Sequence, residues 1–245
     1  MAENLLTVEN IGKSFGEKIL FEDICFGVNK GQKVALVAKN GQGKSTLLNI
    51  IAGKIEPDEG KVSFRSDIHS IYLEQNPLLD SELSVIDVIF TSDNPKMQTV
   101  REYEDALIAA TIQDNDETHL RLSEAIAQMD RFEVWDYEAK AKEILSKLGI
   151  TNLQQKVSTL SGGERKKVAL SKVLTESSEF LILDEPTNHL DVAMIEWLEE
   201  FLKRQNLTLL LVTHDRYFIN NVCTDVYELD NSTIYKYKGD YNYFI

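Results

Sequence analysis

The sequence is poor in cysteine and in positive charge, and each shortage excludes a class of protein. Its two cysteines, Cys25 and Cys223, are too few and too far apart for a disulfide-stapled scaffold or a zinc site. The 26 basic residues are outnumbered by 40 acidic residues, which gives a formal net charge of −14. This charge argues against nucleic-acid binding by net attraction to phosphates, although a local basic patch remains open.

Long apolar runs and a basic N-terminal segment are also missing. The leucines at 209–211 belong to one of the longest apolar stretches, which is far shorter than the ~20 residues of a membrane span. The N-terminus carries an acid, Glu3, where a secretory signal needs basic residues. We therefore expect no membrane segment, and the low cysteine count favours a reducing, cytoplasmic location.

The 245 residues allow one large domain or two small lobes, with a core that needs no disulfide or metal. Strand-like segments occur at 5–8, 24–26 and 34–37, and segments 62–64 and 68–73 are typical of a further strand pair. A helical apolar face follows the third strand and stops at Gly53.

The middle of the chain has a different pattern. Apolar residues recur at helical spacing over 100–110 and 137–148, and Gly149 is a plausible stop for the second helix. Between residues 99 and 143 there are twelve acidic and five basic residues. This composition predicts a solvated helical lobe and not a surface that grips phosphates.

The last third returns to alternating strands and helices. The continuous apolar runs at 180–183 and 207–212 are expected of strands that are buried on both faces of a parallel sheet. Between them, a helical pattern begins after Asp191, a suitable N-cap. The simplest interpretation is an α/β core that is interrupted by a helical insertion.

The loop after the strand at 34–37 has the composition of a phosphate cradle. Gly41, Gln42 and Gly43 precede Lys44 and Ser45, and a helix follows, so backbone N–H groups would face an anion. Lys44 would reach the β- and γ-phosphates of a nucleotide, and the Ser45 hydroxyl would bind Mg²⁺. The first position of the pattern is usually glycine but is Ala38 here, which keeps the small size without the conformational freedom.

Two acidic residues at the end of the apolar strand 180–183 form a second candidate functional motif. Asp184 fits the acidic residue that holds Mg²⁺ in P-loop NTPases. Glu185 could polarise the attacking water. Taken alone, the pair would be interpreted as two solvated acids at the end of a strand, but the P-loop upstream favours the catalytic interpretation.

A third motif, Ser161-Gly162-Gly163-Glu164, opens a helix and is a further potential anion-binding N-terminus. The three motifs in this order resemble the ATP-binding cassette (ABC) superfamily, and the resemblance covers essentially the whole chain. It implies an α/β P-loop NTPase fold with a mainly parallel core sheet, an antiparallel β subdomain and an inserted helical subdomain. The whole chain is then one nucleotide-binding domain, with 1–77 and 159–245 as the ATP-binding core and 78–158 as the insertion.

The resemblance also implies roles for individual residues. Gln75 matches the glutamine that senses the γ-phosphate and Mg²⁺, His214 the switch histidine, and Asp191 the aspartate of the loop that crosses to a partner cassette. Phe15 falls where an aromatic ring stacks on adenine, although a core or turn aromatic is the alternative. The implied catalytic residues are Glu185, His214 and Lys44, the Mg²⁺ ligands are Ser45, Gln75 and Asp184, and the ATP-binding residues are Phe15, Ala38, Asn40, Gly41, Gln42, Gly43, Lys44, Ser45 and Thr46. Ser161, Gly162, Gly163 and Glu164 form the signature loop, which acts on the ATP of the partner cassette.

Within the ABC superfamily, several short segments of the sequence resemble the ABC-F class and, within that class, the Uup-like branch. The resemblance to the ABC-F class is carried by the segments 184–191 and 213–218 and by the tail at 237–243. The resemblance to the Uup-like branch is carried by Trp135 and the segments 165–167 and 195–199. ABC-F proteins carry two cassettes on one chain, have no membrane domain and mostly act on ribosomes. The resemblance therefore implies ATP and Mg²⁺ as cofactors, a second cassette as partner, and a ribosome or nucleic acid as the larger partner. The acidic lobe is expected to be a scaffold for the signature loop, with direct ribosome contact as the alternative.

Two rival functions remain open at this level. The chain could be the ATP-binding subunit of a membrane transporter, which the residues at 188–191 and 216–218 disfavour. It could also be a module that binds ATP without hydrolysing it, which Glu185 and His214 disfavour.

Overall fold

The computed structural model describes residues 3–39, 41–92, 94–176, 178–230 and 233–238. Residue contacts group the chain into two compact units. One consists of the described residues up to Gln75 together with those from 178 onward, and the other spans 76–176.

The first unit contains a six-stranded sheet with the strand order β5-β6-β7-β3-β8-β9. Five strands run parallel, and only β9 pairs antiparallel, with β8. Every residue of β6 and β7 is buried, as the continuous apolar runs predict for central parallel strands. The strands are β3 (Lys33–Ala38), β5 (Ser70–Leu73), β6 (Phe180–Asp184), β7 (Thr208–Val212), β8 (Asp225–Asp230) and β9 (Thr233–Lys238).

A separate antiparallel sheet with the order β2-β1-β4 completes the first unit's strands. It consists of β1 (Asn4–Phe15), β2 (Lys18–Asn29) and β4 (Glu59–Phe64). The expected pairing of 62–64 with 68–73 is wrong, because β4 pairs with β1 and β5 pairs with β6 in the other sheet. Local composition predicts that a segment is a strand, but the partner strand depends on contacts between residues far apart in the sequence.

Three helices belong to the first unit: α1 (Lys44–Ile51), α7 (Val192–Arg204) and α8 (Arg216–Val222). The buried face of α1, including Leu47 and Leu48, shares one hydrophobic cluster with residues from both sheets, such as Phe26 and Leu210. Side-chain caps fix the starts of α7 and α8, where Asp191 accepts from the Met194 N–H and Asp215 from the Phe218 N–H.

The second unit is helical. It contains α2 (Val85–Phe90), α3 (Pro95–Ile112), α4 (Asp116–Phe132), α5 (Asp136–Lys147), a short 3₁₀ turn (Val157–Thr159) and α6 (Gly162–Thr175). The helices predicted over 100–110 and 137–148 are present as α3 and α5. Helix α4 was not predicted, and it contributes only Ala125 and Met129 to the buried set.

By residue contacts, the described residues 159–176, which are expected from the sequence to lie in the ATP-binding core, group with the helical unit. Leu160 and Val168 pack into the same hydrophobic cluster as Val88 and Leu145, so this cluster includes the start of α6. Within the described residues no helix combines the length and the apolar composition that are needed to cross a membrane.

Candidate nucleotide-binding site

The loop between β3 and α1 has a backbone that glycine alone adopts without strain. Gly41 and Gly43 have φ angles of 80° and 90°. A Cβ on Gly43 would lie 3.0 Å from Cε1 of Phe21 and 3.2 Å from Cδ1 of Leu20, so this loop packs tightly on β2. The Lys39 N–H donates to Oε1 of Gln42 over 3.0 Å, which closes the loop on itself. Asn40 lies outside the described residues.

Lys44 is held inside this loop. Its Nζ donates to the carbonyl oxygens of Ala38, at 2.8 Å, and Lys39, at 3.4 Å. Burial lowers the pKa of Lys44, and the nearby Glu185 and Asp184 carboxyls raise it in turn. The carbonyl contacts are ones that phosphate oxygens could replace, because both are acceptors for the same ammonium group.

Most of the predicted site residues line one cavity of about 460 Å³. This volume lies in the range of small-molecule sites. The predicted residues that line it are Phe15, Gly41, Gly43, Lys44, Ser45, Thr46, Gln75, Asp184, Glu185 and His214. Because β3, β5, β6 and β7 are parallel, the segments that follow them meet at one edge of the sheet.

Asp184 is a buried carboxylate with unused hydrogen-bonding capacity. It is 2% exposed, and neither of its side-chain oxygens meets a hydrogen-bond partner in the part of the chain that the structure describes. Burial raises the pKa of the Asp184 carboxyl, while the nearby Ser45 hydroxyl, Lys44 ammonium and Tyr72 hydroxyl lower it. A buried acid of this kind is costly unless a cation compensates it.

The donor set around Asp184 fits Mg²⁺. A carboxylate, the Ser45 hydroxyl and the Gln75 amide line the same cavity, and oxygen ligands are those that Mg²⁺ prefers. Among the described residues no group of three or more His, Cys, Asp or Glu side chains could hold a metal. This arrangement suits Mg²⁺, which is usually bound by one or two protein groups together with substrate phosphates.

Glu185 and His214 form a pair beside this carboxylate. Nε2 of His214 lies 3.4 Å from Oε1 of Glu185, and the glutamate side chain is 8% exposed against 61% for the histidine. Burial raises the pKa of Glu185, and the neighbouring His214 lowers it. Glu185 has a φ of 53°, and its N–H donates to the Val212 carbonyl over 2.7 Å. A left-handed backbone at a non-glycine residue is typical of functional sites.

The signature residues lie in the helical unit, at the start of α6. Ser161 is the N-cap: its side chain accepts from the Glu164 N–H, and the Ser161 N–H donates to Oε2 of Glu164 over 2.8 Å. The hydrogen bonds that the Glu164 carboxylate accepts from the Ser161 hydroxyl and N–H lower the pKa of Glu164. Gly162 and Gly163 form the first turn, and an added Cβ on Gly162 would meet no atom within 4 Å. Further along the chain, Asp191 caps α7 as predicted.

Sequence reasoning missed several residues at the cavity. Leu20 and Val212 also line it, and Tyr72 lies near Asp184. Tyr72 pairs with Ile182, so it shares a face of the sheet with the residue two positions on, Asp184. Only the pairing of β5 with β6 gives this proximity, and no local signal in the sequence indicates that pairing.

Comparison with known proteins agrees with this fold. The family model described as ABC transporter matches residues 21–188. The uncharacterized ABC transporter ATP-binding protein YfmR of Bacillus subtilis is 41% identical over 99% of this chain and 39% of its own length. The energy-dependent translational throttle protein EttA of Mycobacterium tuberculosis is 34% identical over 100% of this chain and 44% of its own. The ATP-binding protein Uup of Escherichia coli is 32% identical over 99% of this chain and 38% of its own.

A solved ATP-binding subunit of an ABC transporter shares the fold, with a TM-score of 0.69 and 23% identity over 96% of this chain and 90% of that one. The chain therefore belongs to the ABC transporter family of ATP-binding cassettes. Its relatives include Uup and EttA, which are ABC-F proteins. The chain spans less than half the length of the curated relatives described above.

The first prediction concerns the two glycines of the loop. Gly43→Ala should lower the free energy of unfolding by about 1–3 kcal/mol for overpacking against Phe21, in addition to about 1–2 kcal/mol for the left-handed φ. Gly41→Ala is the matched control, since its φ is also positive but an added Cβ meets no atom within 4 Å. In chemical denaturation, Gly41→Ala should lower the free energy of unfolding by only the about 1–2 kcal/mol that the left-handed φ costs. Equal losses for the two variants would contradict the packing of Gly43 on β2.

The second prediction concerns the buried acid. Because burial raises the pKa of Asp184, ionisation at neutral pH opposes folding, and this cost grows as pH rises above the unfolded value of about 3.9. Asp184→Asn should therefore raise the melting temperature at pH 7, with no gain at pH 3, while it weakens Mg²⁺-dependent nucleotide binding. The exposed Asp105→Asn should leave both unchanged. A lower melting temperature for Asp184→Asn at pH 7 would refute this reasoning.

Proposed function

We propose that the chain is a single nucleotide-binding domain that binds and hydrolyses Mg·ATP at an interface with a second cassette. The observation that carries this proposal is one cavity that contains the buried Asp184 beside Ser45 and Lys44, with the Glu185–His214 pair next to it. The Asp184 oxygens meet no hydrogen-bond partner among the described residues. The family is generally one of ATPases, and the geometry supports the same chemistry here.

The phosphates, the adenine and the Mg²⁺ of Mg·ATP each have complementary groups among the residues of this site. The N–H groups of the P-loop and the N-terminus of α1 would hold the phosphates, and Lys44 would exchange its carbonyl contacts for β- and γ-phosphate oxygens. The half-exposed ring of Phe15 would stack on adenine. Ser45, Gln75 and Asp184 would hold Mg²⁺, which when bound neutralises charge that develops on the phosphate oxygens.

Glu185 is the group that would act on water. Its carboxylate would orient the water and accept a proton as the new oxygen–phosphorus bond forms and the bond to the β-phosphate oxygen breaks, releasing ADP. The raised pKa of Glu185 makes this carboxylate a better proton acceptor than an exposed one. His214 is positioned beside the same carboxylate and would donate a hydrogen bond to the γ-phosphate.

A second cassette would complete the site. Ser161 to Glu164 form an exposed or half-exposed helix N-terminus that suits an anion, and we assign it to the γ-phosphate bound by the partner cassette. Asp191, which begins α7, would lie in the loop that crosses between the cassettes. One copy of the chain thus supplies half of each of two active sites.

We further propose that this cassette is the first cassette of an ABC-F protein of the Uup-like type, located in the cytoplasm. The identity to Uup and EttA supports this branch, and EttA by its name acts on translation. A ribosome or a nucleic acid would then be the larger partner. The acidic composition of the helical unit supports a scaffold role for it over direct binding of RNA.

The third prediction tests phosphate binding. Lys44→Ala should abolish ATP binding measured by calorimetry, because it removes the only side-chain ammonium that lines the cavity among the described residues. Lys39→Ala is the matched control: its side chain is 83% exposed and pairs loosely with Asp230 at 3.8 Å, so its loss should leave ATP affinity within about twofold. Equal affinity of Lys44→Ala and the wild type would refute the assignment of this loop.

The fourth prediction tests the composite site. Glu185→Gln keeps the side-chain shape but removes the proton acceptor, so bound Mg·ATP should accumulate and join two copies. Size-exclusion chromatography should show a monomer without nucleotide and a dimer with Mg·ATP. The exposed Glu200→Gln should remain monomeric, and Lys44→Ala combined with Glu185→Gln should not dimerise.

The wild-type chain provides a kinetic check on the same proposal. Its turnover should be slow and its specific activity should rise with protein concentration, because two copies must meet to form a site. Fast hydrolysis at a rate independent of protein concentration would mean that one copy holds a complete site.

A further inference from the structure

A network around Asp58 holds the end of β1, where Phe15 lies. Oδ1 of Asp58 accepts from Nζ of Lys13 at 2.6 Å, and Oδ2 accepts from the N–H and the hydroxyl of Ser14 at 2.8 and 2.9 Å. The Asp58 N–H in turn donates to the Gly12 carbonyl over 2.9 Å. The turn before β4 is thus bonded to the three residues that precede Phe15.

Lys13 extends this network to the ring itself. Its Nζ lies 5.7 Å from the centroid of the Phe15 ring and also donates to the Glu56 carbonyl over 2.9 Å. The Lys13 side chain is only 14% exposed, whereas Phe15 is 54% exposed. An ammonium over one face of the ring is within the range of a cation–π contact. The exposed fraction of Phe15 leaves ring surface that a planar ligand can contact.

The chain on the far side of Phe15 is fixed as well. Phe15 pairs with Lys18 across a two-residue turn that begins at Gly16, whose φ of 59° is in the left-handed region. The ring therefore stands at the tip of a tight hairpin, braced on one side by Asp58. A ring that is ordered before the ligand arrives loses less conformational entropy on binding than a free one does.

A second acidic residue near the same antiparallel sheet serves as a control. It separates an effect on the Phe15 ring from general stabilisation of the sheet. Asp67 also forms an ion pair, with Arg65, just beyond β4. The hydrogen bonds of each acid lower its pKa, to about 2 for Asp58. Asp67 touches neither Lys13 nor Ser14 in the contacts among the described residues, so it serves as a chemically matched reference.

We propose that Asp58 and Lys13 are positioning residues for the nucleobase, which fix the Phe15 ring so that affinity for adenine depends on them and affinity for the triphosphate does not. This inference rests on the proposed function, in which Phe15 contacts adenine. It adds a specificity element that lies outside the phosphate, Mg²⁺ and signature motifs.

The test compares Asp58→Asn with the wild type in calorimetric binding of ATP and of inorganic tripolyphosphate, both with Mg²⁺. We expect ATP to bind about three- to tenfold more weakly, the range expected for losing the order of one side chain, and tripolyphosphate to bind equally well. Asp67→Asn should change neither affinity. Lys13→Met, which keeps the Ser14–Asp58 bonds, should give a smaller loss for ATP only.

A double-mutant cycle with Phe15→Ala shows whether the effect passes through the ring. Phe15→Ala alone should weaken ATP binding, and Asp58→Asn should then cause no further loss. Equal weakening of ATP and tripolyphosphate by Asp58→Asn, or a full effect in the Phe15→Ala background, would overturn the proposal and leave a purely structural ion pair. The proposal also fails if Phe15→Ala leaves ATP affinity unchanged.

The same measurements keep this inference distinct from the proposed function. If the wild type binds neither ATP nor tripolyphosphate, the proposed function itself is wrong. If the wild type binds both and Asp58→Asn changes neither affinity, the proposed function stands and only the role of Asp58 is refuted.

Discussion

The parallel pairing of β3, β5, β6 and β7 is the constraint on which the site depends. In a parallel sheet the carboxyl ends of the strands meet at one edge, so the segments after these strands converge. The P-loop follows β3, Gln75 follows β5, Asp184 ends β6, and His214 follows β7. None of these side chains lies near the others in sequence. Their proximity is a consequence of strand order and direction.

The burial that stabilises the sheet also creates the chemistry of the site. β6 and β7 are buried throughout because neighbouring strands and helices cover them, and the charged end of β6 is buried with them. Among the described residues neither carboxylate oxygen of Asp184 meets a hydrogen-bond partner, and burial raises the pKa values of Asp184 and Glu185. This local cost to stability makes the cavity receptive to a cation and to a proton. Many functional sites trade stability for activity in this way.

The two units have separate hydrophobic clusters, and in our proposal each presents a different kind of anion-binding element. In the first unit, glycines with positive φ shape the P-loop, and Gly43 packs directly on β2. In the helical unit, Ser161 and Glu164 cap α6 reciprocally and fix its N-terminus. A cassette built this way carries both halves of a nucleotide clamp but uses them on different nucleotides, in the proposal made above. The acidic composition of residues 99–143 is compatible with that role, since in this proposal only the start of α6 meets a phosphate.

The sequence by itself determined the features that short-range interactions control. Short segments of a few residues were enough to predict the apolar runs of β6 and β7, the cap at Asp191 and the Gly-rich P-loop. The order of the motifs along the chain then indicated the family. Tertiary structure alone decided which strands pair, so that β4 and β5 belong to different sheets, and it placed Tyr72 beside Asp184. It also placed α6 with the helical unit and bonded Asp58 to the end of β1. These features depend on contacts between residues that are far apart in the chain, and such contacts leave no local periodicity or motif, because their energy arises only when the whole core is assembled.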